Sequence, residues 1–112
     1  MAVANIVDFA RFEARAGQIA NMLKAAGNQR RLMVLCKLVR LGRANVTQLC
    51  AAVGLSQSAL SQHLSLLRDE GLVAFDRKGQ TLWYRIADPR TETLLATLYD
   101  LYCATDVAEQ KG

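Results

Sequence analysis

The sequence predicts a mainly α fold with a small β component (α+β): a winged helix-turn-helix with an extra helix at each end. Three observations predict it. Two short helical segments are joined only by Gly54-Leu55-Ser56, a tight glycine turn of the helix-turn-helix kind. Directly after Gly71 the three- and four-residue apolar period gives way to two β-branched and aromatic runs around a glycine. Longer amphipathic segments flank both features. The expected order is helix, helix, a short bridging strand, helix, helix, strand, strand, helix.

Taken in order, Phe9, Phe12, Ala16, Ile19, Ala20 and Leu23 recur at helical spacing and predict a first helix running to about Ala26. Gly27 ends it. Asn28 is a good N-cap for a second helix, Gln29 to about Leu41, closed by Gly42, in which Leu32, Leu35, Cys36 and Val39 form one stripe. Thr47 can cap a short third helix, Gln48–Val53, broken by Gly54. Ser56 caps a fourth, Gln57 to about Glu70, stopped by Gly71. Leu72–Arg77 and Thr81–Ile86, around Lys78-Gly79-Gln80, read as a β-hairpin. Asp88 caps a last helix with Pro89 at its first position, where a missing N–H costs nothing. Its apolar positions Leu94, Leu95, Leu98, Leu101 and Tyr102 make a stripe wider than one small core needs.

The 112 residues hold one domain, because a second independent core does not fit this length. A hydrophobic share of 52% excludes a disordered tail, and no apolar run approaches the ~18 residues of a membrane span. No positive leader precedes the short apolar stretch at the N-terminus, so the expected location is cytoplasmic, with no membrane partner. The net charge of +4 is uneven: residues 1–56 carry eight Lys/Arg against two acids, residues 57–112 six against eight. That balance is compatible with a phosphate-contacting surface without proving one. Three cysteines, an odd number, do not make a disulfide scaffold and read as buried fillers, metal ligands or redox thiols.

The fourth helix carries the most information. Ala59, Leu60, Leu64 and Leu67 fall on one face. Gln57, Ser58, Ser61, Gln62 and Ser65 fall largely on the other, a surface rich in donors and acceptors and free of charge. Ordinary solvated helix faces are rich in Lys and Glu; this one suits the major groove, where Gln pairs with adenine and Ser adapts to several bases. Arg77 and Lys78 at the hairpin tip would sit near phosphates, although a solvated turn has similar residues. His63, the single histidine, reads as a packing or phosphate-bonding residue, because one histidine cannot build a multi-histidine metal site within a subunit. No Gly-x-Ser-x-Gly elbow and no Gly-rich phosphate loop is present, so the chain is not expected to be an enzyme or to need a cofactor. Double-stranded DNA is the expected partner; a winged-helix protein-interaction module that never touches DNA is the alternative of another class.

Asn28–Cys36, Leu55–Leu64, Leu67–Val73 and the Trp83-Tyr84-Arg85 strand together resemble the ArsR/SmtB family of small dimeric winged-helix repressors, over roughly residues 12–104. The resemblance implies a homodimer through the first and last helices, about 9–26 and 88–106, and hence a pseudo-palindromic operator with half-sites ~34 Å apart. It also implies an inducer that loosens DNA binding. The family's metal sensors use a Cys-x-Cys motif on the third helix, where this chain has Leu49-Cys50-Ala51-Ala52, or Asp, His and Glu on the last helix, where Thr91–Val107 has no histidine. The sequence departs from both sets. Cys36 and Cys103, in their contexts, are similar instead to the branch that senses sulfide and oxidants through two thiols. For this chain the resemblance thus implies a reactive sulfur species or an oxidant as inducer and a Cys36–Cys103 pair as sensor, with Cys50 left as filler. Binding of a thiophilic metal or metalloid by the three cysteines is the alternative signal.

Overall fold

The computed structural model describes residues 8–104 of the chain. Helix α1 spans Phe9–Ala26, α2 Gln29–Leu41, α3 Val46–Val53, α4 Gln57–Asp69 and α5 Pro89–Tyr99. Strands β1 (Ala44–Asn45), β2 (Val73–Lys78) and β3 (Thr81–Ile86) form an antiparallel sheet in the order β1-β3-β2. The architecture is the expected one, and the expected end of the last helix near residue 106 lies outside the described residues.

Short polar side chains set most of the helix starts. Asp8 accepts from the Ala10 and Arg11 N–H groups, Asn28 from Arg30 and Arg31, Ser56 from Ala59, and Asp88 from Arg90. Each satisfies amide donors that the first helical turn leaves without a partner. Between α3 and α4, Gly54 adopts φ +68°, ψ +38°, a left-handed conformation that a side chain disfavours. At the wing tip Gly79, with φ +64°, is the first residue of a two-residue turn, where a type II′ hairpin demands glycine.

The core lies where α2 is covered by α3, α4 and the sheet. Val34, Leu35, Leu38, Leu49, Leu60, Leu64, Leu67, Leu72 and Val73 are fully buried, each such side chain contributing about 1.5–3 kcal/mol of transfer free energy. In the wing, Phe75 stands opposite Tyr84 with ring centroids 5.4 Å apart. By the alternation of the strands, Val73, Phe75, Tyr84 and Ile86 share the helix-facing side.

Four details differ from the sequence reading. The cap of α3 is Asn45, not Thr47: its side chain accepts from the Gln48 N–H at 2.8 Å while Gln48 Oε1 accepts from the Asn45 N–H at 2.9 Å. This reciprocal capping box starts the helix at Val46. The buried stripe of α2 is Val34, Leu35 and Leu38, with Leu32 and Val39 on its flanks, so Cys36 falls outside it and is exposed. Lys78 belongs to β2, paired with Thr81, rather than to the turn. Finally, α5 gives way to a π-helical turn over Asp100–Ala104, with i→i+5 hydrogen bonding that apolar spacing does not reveal.

The outer helices leave much apolar surface uncovered. In α1 only Ala25 and Ala26 are buried, whereas Phe9 is 73% and Phe12 53% exposed. Tyr99, Leu101 and Tyr102, at the other end of the chain, are exposed too. Among the described residues no helix is long and apolar enough to cross a membrane.

Candidate nucleic-acid interface and thiol pair

Helix α4 is held from beneath by Leu60, Leu64 and Leu67, at three- and four-residue steps. At about 100° per residue, Gln57, Ser58, Ser61, Gln62 and Ser65 occupy the remaining arc, and all five are exposed. The outward face is therefore short, neutral and full of donors and acceptors, and its N-terminal end carries the positive end of the helix dipole. Such a surface can approach a polyanion without a like-charge penalty.

His63 lies on the flank of that helix, half-buried. Its Nδ1 is 3.4 Å from Nη1 of Arg31 on α2. The neighbouring Arg30 donates from Nη1 to the Val53 carbonyl oxygen at 3.3 Å, holding the C-terminal end of α3 beside the glycine turn. The arginines of Asn28-Gln29-Arg30-Arg31 thus brace the helix-turn-helix from behind. Sequence reasoning missed them, because nothing in local spacing shows how far an arginine reaches.

The wing places Arg77 and Lys78 at the outer end of β2, opposite Leu82 and Thr81, both exposed. Strand alternation separates them: Arg77 shares the helix-facing side with Phe75 and Tyr84, and Lys78 takes the other. Below the tip, Arg85 Nε and Asp76 Oδ2 pair at 3.0 Å across the strands. Arg68, at the end of α4, stacks over Phe75 at 5.3 Å and ties helix to wing. Arg43 lies over Trp83 at 5.9 Å on the opposite side of the sheet.

The three cysteines fall in different settings. Cys50 is half-buried against the core, in keeping with a filler. Cys36, on α2, and Cys103, in the π-helical turn, are exposed free thiols. Partial desolvation, despite the exposed surface, pushes the Cys36 thiol above its ordinary pKa, the charge of Cys103 pushes it further, and Lys37 pulls it back. Among the described residues no group of three or more His, Cys, Asp or Glu comes together at metal-binding distances.

A cleft of about 450 Å³ opens between α1, the α4–β2 turn and the start of α5, with Ile19, Met22, Leu72 and Leu94 in its wall. Arg90, also in the wall, is engaged at 2.7 Å by Asp88, whose carboxyl it holds below the usual range. None of the cysteines lines this cleft.

A neutral polar helix presented by a tight helix pair and flanked by a basic two-stranded wing defines a winged helix-turn-helix DNA-binding regulator. The model of the arsR family of bacterial regulatory proteins matches residues 28–74, from the cap of α2 into β2. The chain belongs to that family. It is 38% identical to the HTH-type transcriptional regulator YgaV of Escherichia coli (strain K12) over 98 residues, 88% of this chain and 99% of that one. The crystal structure of the transcriptional repressor BigR from Xylella fastidiosa superposes with a TM-score of 0.80 at 35% identity, covering 88% of this chain and 99% of that one. Reduced HlyU from Vibrio cholerae N16961 gives 0.76 at 38% identity, covering 83% and 97%. A homodimeric winged helix-turn-helix DNA-binding domain from Mycobacterium bovis gives 0.73 at 33%, covering 81% and 83%. YgaV is a transcriptional regulator and BigR a transcriptional repressor.

Proposed function

We propose that the protein is a cytoplasmic, homodimeric repressor whose hold on a pseudo-palindromic operator changes when an oxidant or a reactive sulfur species links Cys36 to Cys103. In this reading Gln57, Ser58, Ser61, Gln62 and Ser65 meet base edges, while His63, Arg77 and Lys78 contact phosphates. The regulated genes serve sulfide and reactive-sulfur handling. Exposed Phe9, Phe12, Tyr99, Leu101 and Tyr102 supply the apolar surface that a second copy covers, and the Mycobacterium bovis neighbour is itself homodimeric.

One observation carries the switch: two exposed thiols, far apart in sequence, whose charges interact across α2 and the end of α5. In direct oxidation the two thiols give two electrons to the oxidant, release two protons and form one S–S bond. With a persulfide as reagent, one thiolate takes up its outer sulfur and releases the donor's thiol. The second thiolate then displaces sulfide to close a disulfide; where a second persulfide has first added another sulfur and released its own thiol, the same displacement leaves one extra sulfur atom in the bridge. A direct disulfide needs Cα atoms within ~7 Å, and added sulfur relaxes that limit. The bridge fastens the DNA-binding core to the outer helices, a coupling of ~1–3 kcal/mol in typical cases.

The test is binding to a duplex selected by the reduced protein from a random pool, before and after persulfide treatment, for wild type, Cys36→Ser and Cys103→Ser. A mass gain on a peptide pair joining residues 36 and 103, with loss of affinity only in wild type, supports the reading. A loss of affinity in either serine variant as large as in wild type sinks the switch, and salt-independent or absent duplex binding sinks the DNA reading.

A further inference from the structure

Helix α1 is fastened to the rest of the subunit at one end. Ala25 and Ala26, in its last turn, are its buried residues, and the half toward Phe9 and Phe12 is exposed. At that fastened end, Arg31 Nε donates to the Ala25 carbonyl oxygen at 2.6 Å. The same guanidinium sets Nη1 3.4 Å from His63 Nδ1 on α4. One rigid, planar group therefore spans the C-terminus of α1 and the flank of α4. Its charge also faces the carbonyl end of α1, where a helix dipole favours a cation.

The chemistry of the contact fixes the histidine. A guanidinium offers only donors and stays protonated, so Nδ1 must accept, and the ring proton then resides on Nε2. The second nitrogen is left as an N–H donor on the flank of α4, next to Gln62 in the chain.

We propose that Arg31 is a positioning residue for DNA binding: it holds His63 in the Nε2–H form and makes the rotation of α4 depend on where the end of α1 lies. The proposal rests on α4 being the DNA-reading helix. It assigns Arg31 no contact with DNA of its own. Lysine is a poor replacement, because a single ammonium cannot meet the Ala25 oxygen and the His63 nitrogen with the fixed fork of a guanidinium.

The test has two arms, both on the full chain in its reduced form. In the first, the ¹⁵N shifts of the His63 ring are read without DNA for wild type, Arg31→Lys and Arg31→Gln. Wild type is expected to show a protonated Nε2 and an unprotonated Nδ1, and the two variants a mixture of tautomers. In the second, affinity for the selected duplex is measured against salt. Both variants are expected to bind about tenfold more weakly with the wild-type salt slope, since no cationic phosphate contact is removed. Three results overturn the proposal: a protonated Nδ1 in wild type, full rescue by lysine, or a slope shallower by about one, which marks Arg31 as a phosphate ligand. Should Arg31→Gln fail to fold, wild type and Arg31→Lys still decide. Should wild type bind no duplex, the DNA reading falls, while the ring shifts judge the Arg31–His63 link separately.

Discussion

Cys36, in the middle of α2, and Cys103, in the π-helical turn beyond α5, sit near enough that the charge of one disfavours the charge of the other. The thiolate is the nucleophile, so this neighbour lowers the reactivity of Cys36. Burial is the larger cause at Cys36, Cys103 adds to it, and Lys37 opposes both. Because the fold disfavours the Cys36 thiolate, this group leaves stability unchanged at neutral pH and lowers it as pH rises past the ordinary thiol pKa through the raised folded-state pKa.

Alkylation of Cys36 by iodoacetamide, followed by peptide mass spectrometry, is therefore expected to be slow near pH 7 and to climb about tenfold per pH unit well into the alkaline range. In Cys103→Ser the repulsive neighbour is gone, and the Cys36 profile moves to lower pH. An unchanged profile would show that the two sulfurs do not sense each other.

The face of α4 and the wing are expected to fail in different ways. Ser61→Ala with Gln62→Ala removes base-edge partners, costing about 1–3 kcal/mol of discrimination per good contact with the salt slope intact. Arg77→Ala or Lys78→Ala weakens binding to all sequences and lowers the slope by about one. Because Arg77 lies on the helix-facing side of β2 and Lys78 on the other, Arg77→Ala is expected to have the larger effect. Fluorescence anisotropy against salt, with selected and scrambled duplexes, separates the two classes.

Two leucines with one residue between them test the inward face of α4. Leu64 is 1% exposed and Leu66 is 38% exposed. Leu64→Ala removes a side chain from a packed core and is expected to cost about 2–5 kcal/mol. Leu66→Ala on the surface stays within about 0.5 kcal/mol. Urea unfolding of the two variants under identical conditions measures the difference.

The outer helices make a prediction about assembly. Phe12→Glu or Tyr102→Glu places a charge where apolar surface is open in the single subunit, so neither disturbs the core. Each is expected to shift sedimentation from dimer toward monomer and to weaken operator binding, with little change in helix content. A dimer persisting in both variants would place the interface elsewhere.

Much of this architecture was legible because its signals are local. Asn28 and Gly42 bracket α2 at its observed bounds, and the switch of period after Gly71 marks the wing. The five polar positions of α4 needed only the helical step to fall on one exposed arc. What escaped depends on partners distant in sequence. Cys36 left the expected stripe because the sheet, α3 and α4 all cover α2, which centres its buried face on Val34, Leu35 and Leu38. The Arg31 link to Ala25 and His63 exists only once α1, α2 and α4 are packed. The π-helical turn has no proline or glycine to announce it.

The start of α3 is a case where the sequence held the answer. Asn45 and Thr47 are both good caps by type, but only Asn45 has a glutamine three residues on; the corresponding position for Thr47 is Cys50, which cannot return a bond. Asn45 is also paired with Trp83 in the sheet, so its backbone is already extended, as a cap requires. Asn45→Ala thus removes one arm of a reciprocal pair and is expected to cost about 1 kcal/mol, with Gln48→Ala removing the other arm for less. Thr47 lies inside the helix and exposed, so Thr47→Ala should be neutral or slightly stabilising through the better helix propensity of alanine. Because α3 supports the glycine turn into α4, the Asn45 loss is expected to reach DNA affinity as well. A lower midpoint for Thr47→Ala than for Asn45→Ala in thermal unfolding would return the cap to Thr47.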